Sequence, residues 1–425
     1  MKFELIRDGR YIRIDPVPDK NLTFKLTQLL SYVKKDSQFM PNPKWGHICL
    51  YNSKKHRFPH GLLSKVIDLF DEFKLDYSNL SRESEIFDDN YPGLKKVKGL
   101  RGYQMEALNS MLNHSCGIVK MPTGSGKTRV AISYILSREV KTLVLVPTLD
   151  LVKQWESLVP NYVTVKTYAA VKSKKFLQEF PLVIFDECHH CAAKTLYLVG
   201  MNLHQDAEIF GFSATPLNRD DDNLKVEAVL GHIIYDVPLR DMIDEGFLCD
   251  AKIYFHDLPQ KEYNFLPYHD VYFDYILNGT RRNAKILDIV ENATKPCLVL
   301  VNLIEHGNFL LSLLSELKKQ DVVFLNGQLK PGERADTDHD VIIATSIFDE
   351  GVDLPALRTL VLASGGKSAI KATQRIGRLL RPSEGKEIAI VHDFVDRAKY
   401  LFVHSMSRRK IFEENFPVEL VKDGK

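Results

Sequence analysis

The chain has 425 residues, 44% of them hydrophobic and 26% charged, which excludes a disulfide-stapled mini-domain, a fibrous repeat and wholesale disorder. At about 100 to 200 residues per domain, this length predicts two or three domains. The net charge of +2 excludes no polyanionic partner, because it is unevenly spread: residues 1–65 carry 13 cations against 5 anions, residues 66–90 carry 2 against 8, and the rest hold 42 of each. A basic lobe, an acidic joining segment and a neutral body follow in that order.

The elements begin with KFELI and RYIRI, two alternating strands joined at Asp8-Gly9, a pair suited to a tight hairpin turn. Asn21 is the expected cap of a helix whose Leu22, Leu26, Leu29, Leu30 and Val33 recur at helical spacing. A strand near 47–51 and a helix near 62–73 complete a small α+β domain over residues 1–95. From about residue 96 the texture changes to short apolar runs alternating with amphipathic stretches. GIVKM, TLVLVP, LVIFDE and IFGFSAT form one series, and CLVLVN, VVFLNG, DVIIATS, TLVLAS and EIAIVHDF form another. Such runs mark strands buried on both faces, hence two parallel α/β domains, expected over 96–240 and 284–425. The connector 241–283 is rich in aromatics. Phe265, Tyr268, Tyr272 and Tyr275 have helical spacing, which predicts a packed helix face ahead of the alternative, a base-stacking platform.

The first chemical signal is MPTGSGKT at 121–128, between an apolar run and a helix-like segment. That order of strand, glycine-rich turn and helix suits a phosphate-binding loop. Thr123, Gly124, Ser125 and Gly126 would offer backbone N–H groups to the phosphates of ATP, Lys127 would reach the β and γ phosphates, and Thr128 would give a hydroxyl to Mg²⁺. The first glycine of the strict pattern is replaced by Met121. LVIFDECHH supplies the expected carboxylates: Asp186 for Mg²⁺ and Glu187 to polarise the attacking water. Cys188, His189, His190 and Cys191 are consecutive and cannot easily wrap one tetrahedral ion, so they are not read as a zinc site. The six cysteines fit reduced thiols rather than a disulfide framework.

With these residues in place the chain resembles the superfamily 2 helicases and translocases, from Leu100 to near Phe394. LRGYQMEAL resembles the glutamine motif, which implies that Gln104 reads adenine with Arg101 nearby. MPTGSGKT and DECH resemble motifs I and II, with His189 as the fourth residue of a DExH pattern. LVPTLDLVKQW resembles motif Ia and KTYAAV the next strand-contact segment, implying nucleic-acid contacts at Thr148 and Thr167. GFSATP resembles motif III, in which Ser213 and Thr215 would couple hydrolysis to domain movement. VIIATSIFDEGVDLP resembles motif V, placing Thr345 on a nucleic-acid phosphate and Gly351 and Asp353 near the nucleotide. QRIGRLLRP resembles motif VI, with Gln374 near the γ phosphate and Arg378 and Arg381 as arginine fingers. SATPLNRDDDN and VPLRDMIDEGFL are similar to the XPB-like and UvsW-like DNA helicases. The implied fold is two tandem RecA-like parallel-sheet domains with a small N-terminal α+β domain.

The resemblance implies an ATP hydrolase that translocates on DNA, 3′ to 5′, and unwinds it or drives branch migration in repair, recombination or replication. The implied partners are ATP, Mg²⁺ and single-stranded, forked or branched DNA, for a monomer in solution. A double-strand translocase that does not separate strands, an RNA helicase and a nucleic-acid-binding ATP switch are the alternatives. In the +8 lobe, cations interleave with Phe3, Tyr11, Phe24, Tyr32, Phe39, Trp45, Tyr51 and Phe58, as in an accessory DNA grip. Ser407–Lys410 is a weaker basic cluster, expected on a solvated helix face. No run approaches the roughly 18 apolar residues of a membrane span and the N-terminus lacks a secretory signal, so a cytoplasmic, membrane-free protein is expected.

Overall fold

The computed structural model describes residues 2–34, 37, 40–79, 98–171, 173–217, 222–263, 265–316, 321–329, 338–345, 356–366 and 369–422. They form two compact units, one of residues 1–121 and 126–237, the other of residues 122–125 and 238–425.

The first unit starts with a four-stranded sheet in the order Arg57–Pro59, Tyr11–Asp15, Lys2–Asp8, Asp76–Asn79. Strand alternation turns Phe3, Leu5, Ile12 and Ile14 inward, where helices Lys20–Leu29 and Leu63–Glu72 cover them with Leu26, Val66 and Phe70. The hairpin turn at Asp8-Gly9 is present, with Gly9 at φ +64°. The first helix is capped two residues earlier than its apolar spacing suggested: Asp19, not Asn21, accepts the Leu22 N–H at 2.7 Å. A carboxylate cap of this kind stabilises a helix by about 1 kcal/mol.

This lobe is fastened to the following domain through helix Asn223–Leu230. The buried Arg10 guanidinium donates to Val229 O at 3.0 Å, Lys65 pairs with Glu227 at 3.1 Å, and Tyr32 donates to Asp222. Gly61 lies so close that a Cβ there would stand 2.2 Å from Glu227 O. Ala228 is thereby enclosed in the core of the lobe.

The domain itself is a six-stranded parallel sheet in the order Ile233–Asp236, Cys116–Lys120, Glu208–Ser213, Leu182–Asp186, Thr142–Val146, Val163–Thr167. Three of its strands, Thr142–Val146, Leu182–Asp186 and Glu208–Ser213, are buried at every position, as expected for strands covered on both faces by helices. The second unit has seven parallel strands in the order Val322–Leu325, Val341–Ala344, Cys297–Leu300, Thr359–Val361, Ile388–Val395, Asp250–Asp257, Val418–Lys422. The mixed α/β architecture implied by the sequence is therefore present.

Of the four aromatics at helical spacing, Tyr272 and Tyr275 are buried in the core of the second unit. Phe265 precedes helix Tyr268–Tyr272 and is 98% exposed, so it is not part of a packed face. Within the Ser407–Lys410 cluster, Ser407 and Lys410 are exposed as expected of a solvated face, and Arg408 departs from it. Arg408 is 3% exposed and binds both oxygens of the fully buried Asp393 at 2.8 Å. Among the described residues, no helix is long and apolar enough to cross a membrane.

Candidate active site

In a parallel sheet, the loops that follow the carboxyl ends of the strands form the natural ligand-binding edge. Five adjacent strands of the first unit end there, and each delivers a sequence-predicted residue. Cys116–Lys120 leads into the glycine-rich loop, Glu208–Ser213 ends on Ser213, Leu182–Asp186 ends on Asp186, Thr142–Val146 is followed by Thr148, and Val163–Thr167 ends on Thr167. Asp186 pairs in register with Phe212, Val146 with Thr167, and Lys120 with Ser213. With strands about 4.8 Å apart, a short row of chemistry-bearing groups results.

The loop turns through Gly124 at φ +87° and Gly126 at φ +84°, conformations that glycine adopts without steric cost. Ser125 closes the turn by donating its hydroxyl to Pro122 O at 2.7 Å. Helix Lys127–Arg138 starts immediately after Gly126, so its first N–H groups and its dipole point toward the loop that holds Thr123. Lys127 Nζ donates to Met121 O at 3.3 Å, and Thr128 is the second residue of that helix. Gln104 is buried beside Gly126: its amide nitrogen would stand 2.5 Å from a Cβ at that position. Its carbonyl oxygen accepts the Arg101 N–H at 3.1 Å, which caps the first turn of helix Gly102–Leu112.

Asp186 and Glu187 form the carboxylate pair. Asp186 is 8% exposed, and its two oxygens accept the Trp155 indole N–H at 2.9 Å and the Glu187 N–H at 3.1 Å. Burial, and after it the neighbouring Glu187 charge, raises the Asp186 carboxyl above its ordinary range. For Glu187, burial is opposed by a hydrogen bond from His189, the Lys127 charge and a bond from Ser213, and it is held low. Glu187 has φ +50°, rare for a non-glycine residue, which aims its side chain along the strand ends. Ser213 donates to Glu187 Oε2 at 3.2 Å and accepts the Thr215 N–H at 3.2 Å. His189 Nδ1 lies 3.1 Å from Ser213 Oγ, so His189, Ser213, Thr215 and Glu187 form one connected group.

Two residues of this site carried no assignment from sequence, Trp155 and Tyr168. Trp155 is 2% exposed under the Asp186 carboxylate, and the Tyr168 hydroxyl donates to the backbone carbonyls of both Asp186 and Glu187. Both belong to quoted strand-contact segments, but their targets lie 31 and 18 residues away. Only strand order shows that pairing. Cys188 and Cys191 are buried in the hydrophobic core instead of facing the site. Among the described residues, no group of three His, Cys, Asp or Glu side chains could hold a metal ion.

The remaining predicted residues belong to the second unit. Thr345 follows strand Val341–Ala344 and is buried. Gln374 and Arg378 lie on helix Ala369–Leu379, one turn apart on the same face, and Arg381 follows its end. Gly351 and Asp353 lie outside the described residues.

The family model described as "Type III restriction enzyme, res subunit" matches residues 98–176 and 158–218, and "Helicase conserved C-terminal domain" matches residues 281–383. "DNA 3'-5' translocase XPB2" of Sulfurisphaera tokodaii is 26% identical over 365 residues, spanning 71% of this chain and 82% of that protein. "ATP-dependent DNA helicase uvsW" of Enterobacteria phage T4 is 23% identical over an alignment spanning 98% of this chain and 94% of its own. The fold is similar to a fragment of a putative HsdR subunit of a type I restriction enzyme from Vibrio vulnificus, with a TM-score of 0.62 and 18% identity over 89% of this chain and 87% of that one. With both helicase family models in order along one chain and relatives of the XPB and UvsW kinds, the chain is a superfamily 2 helicase of the XPB-like and UvsW-like group.

Proposed function

We propose that the chain is an ATP-dependent DNA helicase or translocase in which the strand-end row of the first unit hydrolyses ATP. The observation that carries this is the assembly of phosphate loop, Lys127, Asp186, Glu187 and Ser213 at one edge of one sheet. Lys127 and the helix N-terminus neutralise the phosphates, and Gln104 with Arg101 takes the adenine edge. Glu187, kept ionised by its neighbours, orients the attacking water and accepts its proton. The oxygen donors Thr128 and Asp186 fit Mg²⁺, a hard cation that prefers such ligands and supplies charge neutralisation at the phosphates when bound. Gln374, Arg378 and Arg381 act from the second unit, the arginines as fingers on the transferring phosphoryl group.

Thr148, Thr167 and Thr345 contact the nucleic-acid backbone, and Ser213 and Thr215 transmit the state of Glu187. Exposed Lys153, Lys166, Lys174 and Lys175 lie on the same segments as Thr148 and Thr167, a charge complement for phosphates. The basic N-terminal lobe serves as an additional grip. It is anchored to the motor through Arg10 and Lys65, and it presents Trp45, 67% exposed, on the turn Pro43–Gly46. An exposed indole beside lysines suits stacking on an unpaired base. Branch migration or unwinding at forks and junctions is the activity this extra grip serves.

The deciding experiment measures ATP hydrolysis with single-stranded, duplex, forked and four-way-junction DNA and with matched RNA. Hydrolysis should rise steeply with DNA, more with forks and junctions than with plain duplex, and more than with RNA. Lys127→Ala and Glu187→Gln should each lower turnover by about 100-fold or more. Substantial turnover in both variants would refute the site assignment, and stronger stimulation by RNA would refute the substrate.

A further inference from the structure

Two side chains outside the motifs' assigned roles tie the nucleic-acid edge to the carboxylate pair. Trp155 sits in the last turn of helix Leu149–Glu156, the helix that Thr148 opens by accepting the Leu151 N–H with its hydroxyl at 3.4 Å. Its indole N–H ends on Asp186 Oδ2 at 2.9 Å. Tyr168 follows Thr167 directly, and its hydroxyl bridges the carbonyls of Asp186 and Glu187, the second at 3.3 Å. Burial, with nearby thiol and carboxylate charges behind it, raises the Tyr168 hydroxyl well above its ordinary range, so it stays a donor.

These bonds arrive from the segments that follow two neighbouring strands, Thr142–Val146 and Val163–Thr167, and act on different parts of the same dipeptide. Trp155 fixes the Asp186 carboxylate, whereas Tyr168 clamps the peptide units on both sides of the left-handed Glu187. A non-glycine residue in that conformation costs of order 1 kcal/mol and persists only where its surroundings hold it. The rigid helix Leu149–Glu156 connects Thr148 to Trp155, and a single peptide bond connects Thr167 to Tyr168. Movement at either contact threonine is therefore delivered to the carboxylates, by a route separate from the Ser213 group.

We propose that Trp155 and Tyr168 are positioning residues that couple engagement of the DNA strand to the Asp186–Glu187 pair. The proposal rests on the strand contacts assigned above to Thr148 and Thr167. Coupling is reciprocal: if nucleotide raises DNA affinity by a factor α, DNA raises nucleotide affinity by the same factor, typically about 5- to 150-fold.

The test is equilibrium binding by the full chain of a fluorescent single-stranded oligonucleotide, with and without a non-hydrolysable ATP analogue and Mg²⁺. Trp155→Phe removes the indole N–H and keeps an aromatic ring, and Tyr168→Phe removes only the hydroxyl. The parent should show α above about 5, and each variant α within about twofold of 1. An unchanged α in both variants, or a loss of the separate affinities with α intact, would overturn the proposal, as would a parent α near 1. If Trp155→Phe fails to fold, the hydroxyl deletion at Tyr168 decides alone. Thr148→Ala and Thr167→Ala in the same assay test the strand contacts separately. If DNA affinity is unmoved in both, those contacts are wrong, whatever α does at Trp155 and Tyr168.

Discussion

Gly126 shows how closely single atoms set the nucleotide site. At φ +84°, with the Gln104 amide nitrogen 2.5 Å from where a Cβ would sit, it meets two constraints that only glycine satisfies. Alanine would pay roughly 1–2 kcal/mol for the left-handed backbone and would push Gln104 away from the loop. Gly126→Ala should weaken ATP binding at least tenfold, about 1.4 kcal/mol, while leaving the thermal midpoint of the second unit where it was. A titration with a fluorescent ATP analogue reads the first quantity and calorimetry the second. Gly126, Lys127, Asp186 and Glu187 were legible in sequence because each lies in a short contiguous motif whose local geometry does the work. Trp155 and Tyr168 were not. An aromatic residue in an amphipathic segment reads as core until the neighbouring strand is known, and its hydrogen-bond partner is set by sheet order.

At the scale of elements, parallel strands were easy to find and their irregular companions hard. Runs such as TLVLV and LVIFD are buried on both faces and carry no alternation, a pattern that admits few other placements. Strand Val418–Lys422 at the sheet edge is mostly exposed and pairs with Asp250–Asp257; nothing local in VELVK announces that partner. Helix Leu401–Glu413 gives the sharpest contrast, because its basic cluster reads as solvated by composition alone. Arg409 does fit that description, in an i,i+4 pair with Glu413 at 2.7 Å. Arg408, one residue earlier, turns inward to Asp393 and also donates to Gly366 O at 2.6 Å. Nearby, the equally buried Arg282 bonds Asp396 at 2.9 Å and Ala363 O at 2.8 Å. Removing one partner of a buried pair strands the other charge, so Arg408→Ala should cost the second unit about 3–5 kcal/mol. Arg409→Ala should cost less than about 0.5 kcal/mol. Urea denaturation of the two variants side by side measures both. Equal, small losses would mean that Arg408 is solvated after all.

For the whole molecule, buried titratable groups set an acid limit that the net charge of +2 conceals. In the first unit, burial lowers His60 to about 3 and also lowers His232; in the second, burial lowers His306 and His392, each to about 3. His392 is lowered further by His256, whose Nε2 lies 2.9 Å from its Nδ1. Each of these folded-state values lies below the ordinary 6.5, so between the two values the unfolded chain holds a proton that the native chain lacks. Stability must then fall as pH drops below about 6.5, by up to about 1.4 kcal/mol per pH unit for each histidine. Two buried carboxyls act with the opposite sign. Burial raises Asp186 in the first unit and Asp396 in the second, so each takes up its proton sooner in the native state and offsets part of the loss. In each unit the neutral histidines and the raised carboxyl thus pull in opposite directions, and the histidines set the sign of the decline. Thermal midpoints of both units should be flat from pH 8 to 7 and decline from about pH 6.5 to 5. His60→Leu should flatten the decline of the first unit and leave that of the second unchanged. A midpoint that rises on acidification would mean that the carboxyls outweigh the histidines and that burial does not hold these imidazoles neutral.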